Sequence, residues 1–167
     1  RDGKVAYIGD PHTIDKPLEE MVNNEYDMRV AIANYRSGAH AAALLPELDI
    51  ALKTNNVKEA ISIGKQVLYN FSYVKPNTYL VLSSSITGTK TTNDELLEIA
   101  LIAAKRGVAS TQFESPGFYD LLATAYAAKG DYIMAAATEK MAIIYSEGEM
   151  KESQMKKFSN YQSLIRE

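Results

Sequence analysis

Along most of this chain, apolar residues recur every three or four positions, the period of a helix with one buried face. The cleanest stripe is Val57, Ala60, Ile61, Gly64, Val67, Leu68 and Phe71. The first dozen residues differ. Asp2-Gly3 is a hairpin-turn signal, and Val5-Ala6-Tyr7-Ile8 follows as a short run of β formers. Asp10-Pro11 ends that run. Asp15 is an expected N-cap, with Pro17 in the first turn and Leu18, Met21 and Val22 on one face. Val30, Ile32, Ala33 and Tyr35 predict a short helix ending near Gly38. Ala39 to Lys53 predicts the next, with Ala42, Leu45, Leu48 and Leu52 in phase and a kink or broken start at Pro46.

Asn55-Asn56 predicts a turn before the long stripe, and Lys75-Pro76-Asn77 punctuates the chain after it. Tyr79 to Thr87 suits a strand or a helix, and its helical neighbours favour helix. Thr92-x-x-Glu95 has the form of a capping box, opening a helix that runs to about Gly107. Ser115-Pro116 starts another, Gly130-Asp131 turns it, and Tyr132 to Ser146 returns. A last helix, about Met150 to Ile165, carries Met155, Phe158, Tyr161 and Ile165 on one face.

Three helix–turn–helix units follow from this spacing, at about 39–72, 77–107 and 115–147. Ala60, Leu97 and Ala135 open the second helix of each, 37 and 38 residues apart. Such periods belong to stacked helical hairpins. The expected fold class is mainly α: stacked antiparallel helical hairpins forming a solenoid, a final capping helix, and a short N-terminal β-strand remnant.

Tyr119-x-x-Leu122-Ala123-x-x-Tyr126, then Gly130-Asp131-Tyr132, then Ala135, resembles a tetratricopeptide repeat. Large residues would fill the space between the helices, and Ala123 and Ala135 would let them approach. Glu139 departs from the pattern, standing where a large apolar residue is preferred, and Glu147 stands where Pro is preferred. The middle unit matches poorly, with Ser84, Ser85 and Gly88 at diagnostic places.

The opening stretch, Arg1 to Pro11 followed by Asp15-Lys16-Pro17-Leu18-Glu19-Glu20-Met21-Val22, resembles the C-terminal end of a thioredoxin-like domain of the redoxin and thiol-disulfide reductase branch. The resemblance implies a domain boundary: residues 1–24 as the remnant of that domain and 25–167 as the helical-repeat domain. It also implies a hairpin partner strand, a Cys-x-x-Cys pair and a cis-Pro upstream of Arg1, and an intact parent that is a thiol-disulfide oxidoreductase. An envelope-type parent would place the protein in the periplasm or outside the cell, and any other parent in the cytoplasm.

Composition narrows the chemistry. The 167 residues contain no Cys, so no thiol step or disulfide can arise within them. The net charge of −3, with scattered signs, gives no basic footprint for nucleic acid. No apolar run approaches the roughly 20 residues of a membrane span. His12 and His40 lack ligand-spaced partners, so no metal or cofactor is expected. Asp94, Glu95 and Glu98 cluster at a helix start, where carboxylates complement the macrodipole. Gly3, Gly9, Gly38 and Gly88 form no phosphate loop, and Ser83-Ser84-Ser85 lacks a nucleophile-elbow context. No catalytic residue is expected.

Helical-repeat modules bind peptides on the face made by the first helix of each hairpin. On that face the expected residues are Leu45, Asp49 and Lys53 in one unit and Asp120 and Thr124 in another. With Lys53 the sole basic residue among them, a ligand held by its terminal carboxylate is disfavoured. The expected function is non-catalytic: a module for protein or peptide interaction attached to a thioredoxin-like parent. Two alternatives stand beside it, a structural extension of the oxidoreductase and a self-association module whose partner is a second copy.

Overall fold

The computed structural model describes residues 14–111 and 115–165, and among them the chain is all helical. Nine helices follow in order: α1 (Asp15–Val22), α2 (Met28–Ala43), α3 (Leu45–Lys53), α4 (Val57–Tyr69), α5 (Pro76–Gly88), α6 (Asp94–Ser110), α7 (Pro116–Ala128), α8 (Tyr132–Ile144) and α9 (Gly148–Leu164). The expected strand at Val5 to Ile8 lies outside the described residues.

Helices α3 and α4, α5 and α6, and α7 and α8 pack pairwise across short turns, which makes each pair antiparallel. Further contacts join α3 to α5, α4 to α6, α5 to α7, α6 to α7, and α8 to α9. The second helix of each pair starts the same way. Asn56, Asn93 and Asp131 are its N-caps, and their side chains accept from the backbone N–H of Glu59, Leu96 and Met134. Each cap satisfies a donor that the first helical turn leaves open. Residue four of each helix, Ala60, Leu97 or Ala135, is buried. The turns before the caps carry left-handed residues: Asn55 at φ 54°, Lys90 at φ 53° and Gly130 at φ 79°.

The core begins with Leu48, Ile63, Val67, Leu82, Ile86, Leu96 and Ile99, which join α3 to α6. It continues through Val108, Phe118, Leu121 and Leu122 into the last pair. Two glycines set the distance between helices. A Cβ on Gly64 would lie 2.8 Å from Ile99 Cγ2, and one on Gly107 would lie 2.6 Å from Phe118 Cδ1. Both approaches are too close for any side chain.

Several local expectations need correction. Gly38 does not end a helix. It lies buried inside α2, where a Cβ would meet the Tyr73 ring and the Lys75 stem at 3.2–3.4 Å. The break falls instead at Leu44, and Pro46 sits in the first turn of α3, where its missing N–H costs nothing. Thr92 is not the cap of α6. Asn93 takes that role, and its own N–H is held by Thr91 Oγ1. In α9, Met155 and Ile165 are exposed, and the buried residues are Gln154 and Tyr161. Tyr79 to Thr87 is helical throughout.

Helix α1 forms over the expected stretch, but Asp15 is not its cap. Ile14 precedes the helix with no side-chain cap bond, and Asp15 is the first helical residue, where its charge suits the helix N-terminus. None of its residues is buried, and Leu18 and Val22 are exposed. Val30, Ile32 and Tyr35 on α2 are exposed as well.

Candidate functional site

The first helices of the first and last pairs, α3 and α7, carry the expected binding residues in rows spaced by four. On α3 these are Leu45, Asp49 and Lys53. Leu45 is half-buried against the core. Lys53 Nζ donates to Asp49 Oδ2 at 2.6 Å, one helical turn away. With both side chains largely in water, this pair is worth a few tenths of a kcal/mol at most and leaves both groups free to rearrange. The α5–α6 turn spans residues 89–93, two longer than the turns at 54–56 and 129–131. The matching positions on α5 are therefore Leu80 and Ser84. Leu80 packs on the core, and the exposed Ser84 hydroxyl turns back to the Val81 carbonyl.

On α7, Asp120 and Thr124 do not stand free. The Thr124 hydroxyl donates to the Asp120 carbonyl at 2.9 Å. Asp120 Oδ1 accepts from Lys157 Nζ at 2.6 Å, and Lys157 belongs to α9. The last helix therefore covers this part of the expected face. The five residues form two separate rows, with α5 packed between their helices.

Beneath the Lys157–Asp120 contact lies Glu139 of α8, with no exposed surface. Neither carboxyl oxygen has a hydrogen-bond donor. A bare carboxylate in that position would carry the full cost of lost hydration. Burial, and next the charge of Asp120, push the Glu139 carboxyl up to about 8; the opposing pull of Lys157 is weaker. At neutral pH Glu139 is therefore protonated, and the proton gives it a donor toward the Asp120 carboxylate. Burial pulls Lys157 down, but the hydrogen bond and charge of Asp120, together with Glu139, hold it above the ordinary lysine range. Burial raises the Tyr161 hydroxyl, which lies against Thr124. A second polar link ties α9 to α8: the buried Ser146 hydroxyl donates to Gln154 Oε1 at 2.5 Å.

Carboxyl pairs of this kind serve acid–base chemistry when substrate can reach them. Here the carboxyl lies beneath α9 with no exposed surface. The two best-formed cavities lie elsewhere, around Ala51, and measure about 140 and 220 Å³. Both are smaller than the roughly 300 Å³ at which pockets begin to enclose an organic ligand. Among the described residues no group of three His, Asp or Glu side chains is placed to hold a metal, and no helix is long and apolar enough to cross a membrane. Ser83 is buried, and its hydroxyl lacks a partner.

Glu139 was visible in sequence as a break in an apolar pattern, but its surroundings were not. Nothing in the sequence pairs Asp120 with Lys157, 37 residues away. Comparisons with protein-family models, curated proteins and solved structures return no match.

Proposed function

We propose that this chain is a non-catalytic helical-repeat module, tetratricopeptide-like in its stacking, that binds a protein or peptide on the face of α3, α5 and α7. The observation that carries the reading is the recurrence of one local plan. Three second helices share an Asx cap and a buried fourth residue, at separations of 37 and 38. Each is packed on its own first helix, and the first helices touch in order. A generic bundle has no reason to repeat cap and core position together at so regular a spacing. An ordered row of first helices makes an extended surface, which suits a segment of chain better than a small molecule. The module would extend a thioredoxin-like parent and hold that parent's protein substrate.

Selection from a random-peptide phage library tests the reading. Sequences should be enriched whose binding falls about tenfold, or roughly 1.4 kcal/mol, on Lys53→Glu or Ser84→Arg. Enrichment of nothing above background, or binding indifferent to both changes, would refute it.

A structural role beside the parent is favoured by a different observation. Helix α1 buries no residue, and Leu18, Val22, Val30 and Ile32 are exposed on α1 and α2. In that reading this end seats against the thioredoxin-like domain. Replacing Leu18 and Val22 by Ser would then loosen the two domains in the intact protein and leave phage selection unchanged.

A further inference from the structure

The last helix is held differently from the others. Its two buried residues are Gln154 and Tyr161, with Lys157 and Phe158 partly covered between them. Three of these four carry polar groups, each matched to a partner: Gln154 to Ser146, Lys157 to Asp120, and the Tyr161 hydroxyl to Thr124. The titratable groups that face Glu139 are Asp120 from α7 and Lys157 and Tyr161 from α9. One lysine therefore stands over two carboxyl groups, and its ammonium bonds Asp120 without reaching either oxygen of Glu139. With a proton on Glu139 the set is balanced: one cation, one anion and one neutral donor. Without it, a second anion is sealed where no donor lies within hydrogen-bond distance of its oxygens.

We propose that α9 is a pH-controlled cap on the last hairpin, docked while Glu139 is protonated and released when that proton is lost, which uncovers Asp120 and Thr124. Of everything packed on α8, α9 is the element whose departure hydrates Glu139 at the smallest loss of apolar burial. Helix α7 buries Phe118, Tyr119, Leu121 and Leu122, whereas α9 gives up chiefly Tyr161 and Phe158. The link between α8 and α9 is the three residues 145–147, and α9 opens on Gly148 at φ 55°, a conformation in which glycine is unstrained. Tyr161 and Lys157 are both held above their ordinary ranges, so neither titrates before Glu139 as the pH rises. The device stands whether or not the uncovered face takes a peptide.

Because the chain has no cysteine, two introduced ones give unique labels. Lys140 on α8 and Gln162 on α9 are both exposed. Lys140→Cys and Gln162→Cys, carrying spin labels, report the separation of the two helices by pulsed dipolar spectroscopy. One narrow distance is expected at pH 6, and a broad, longer component should grow in through about pH 8. In the Glu139→Gln background, where an amide donates to Asp120 at every pH, the narrow distance should persist to pH 9.5. An unchanged distribution in the parent sequence from pH 6 to 9.5 would overturn the proposal. So would an equal change in the Gln variant, or a far-ultraviolet dichroism loss larger than one helix.

Discussion

Replacing Glu139 by Gln should make the protein more stable in alkali and leave it nearly unchanged in acid. The sign follows from proton binding. The carboxyl titrates near 4.5 when unfolded and near 8 when folded. Below pH 4.5 both states are protonated, and folding pays nothing. Between those values the folded chain holds a proton that the unfolded chain has released, so stability falls as pH rises, by about 1.4 kcal/mol per pH unit. Above pH 8 both states are ionised and the loss levels off, at about 5 kcal/mol in total if the whole fold stays closed around the charge. Release of α9 sets a lower ceiling, because an undocked Glu139 is hydrated and the remaining helices no longer bear the cost. The assay is urea denaturation followed by helical dichroism, from pH 5 to 9.5, for the parent sequence and the Gln variant. The two should agree within about 1 kcal/mol at pH 5, because both side chains donate to Asp120. They should diverge steadily with pH until α9 releases, at or below about pH 8, and run parallel above that point. Curves parallel over the whole range would mean that Glu139 is ionised and solvated in the folded protein, and the account of the cluster would be wrong.

Gly107→Ala should destabilise by about 1–3 kcal/mol, since the new methyl meets the Phe118 ring at 2.6 Å and outweighs the gain in helix propensity; thermal unfolding checks it, and Gly88→Ala, with open space around it, should stabilise slightly. Asn93→Ala removes the side chain that accepts from the Leu96 N–H and should cost about 1 kcal/mol by urea denaturation, whereas Thr92→Ala should cost nothing measurable. Ala135→Leu should force α7 and α8 apart and cost about 1–3 kcal/mol, seen as a lower melting temperature.

Much of the fold is legible in the sequence because its strongest signals are local. The stripe from Val57 to Leu68 becomes α4, and Asn55-Asn56 and Gly130-Asp131 become turn and cap. Errors arose where a residue has both a local and a tertiary use. Gly38 looked like a stop, yet it is a notch for Tyr73. Thr92 looked like a cap, but Asn93 presents its oxygen to Leu96 instead. Counting apolar residues on α9 favoured the face of Met155 and Ile165; the buried face is mixed, because Gln154 and Lys157 find partners on α8 and α7. The candidate face was legible as rows of residues on α3 and α7. That α9 covers Asp120 depends on a contact 37 residues away, which no local pattern encodes. Of the residues expected to fill the last hairpin, Tyr119, Leu122 and Ala135 are buried, and Tyr126 is half-buried at the edge of two clusters.

Every pair of helices in substantial contact lies at most two helices apart along the chain. That short reach has a kinetic consequence. Closing a small loop costs little entropy, so no distant segment must be found before the first packed pair gains from burial. Folding should be fast for a chain of this length, and it can begin at any of the three pairs. The ends should also differ in how they open. Helix α2 buries Gly38 and Ala41, whereas α6 buries nine residues. Amide exchange should accordingly be slowest in α6 and rise stepwise toward α2 and α1. Local opening should then start at the N-terminal side and reach inward one neighbour at a time, below the global transition.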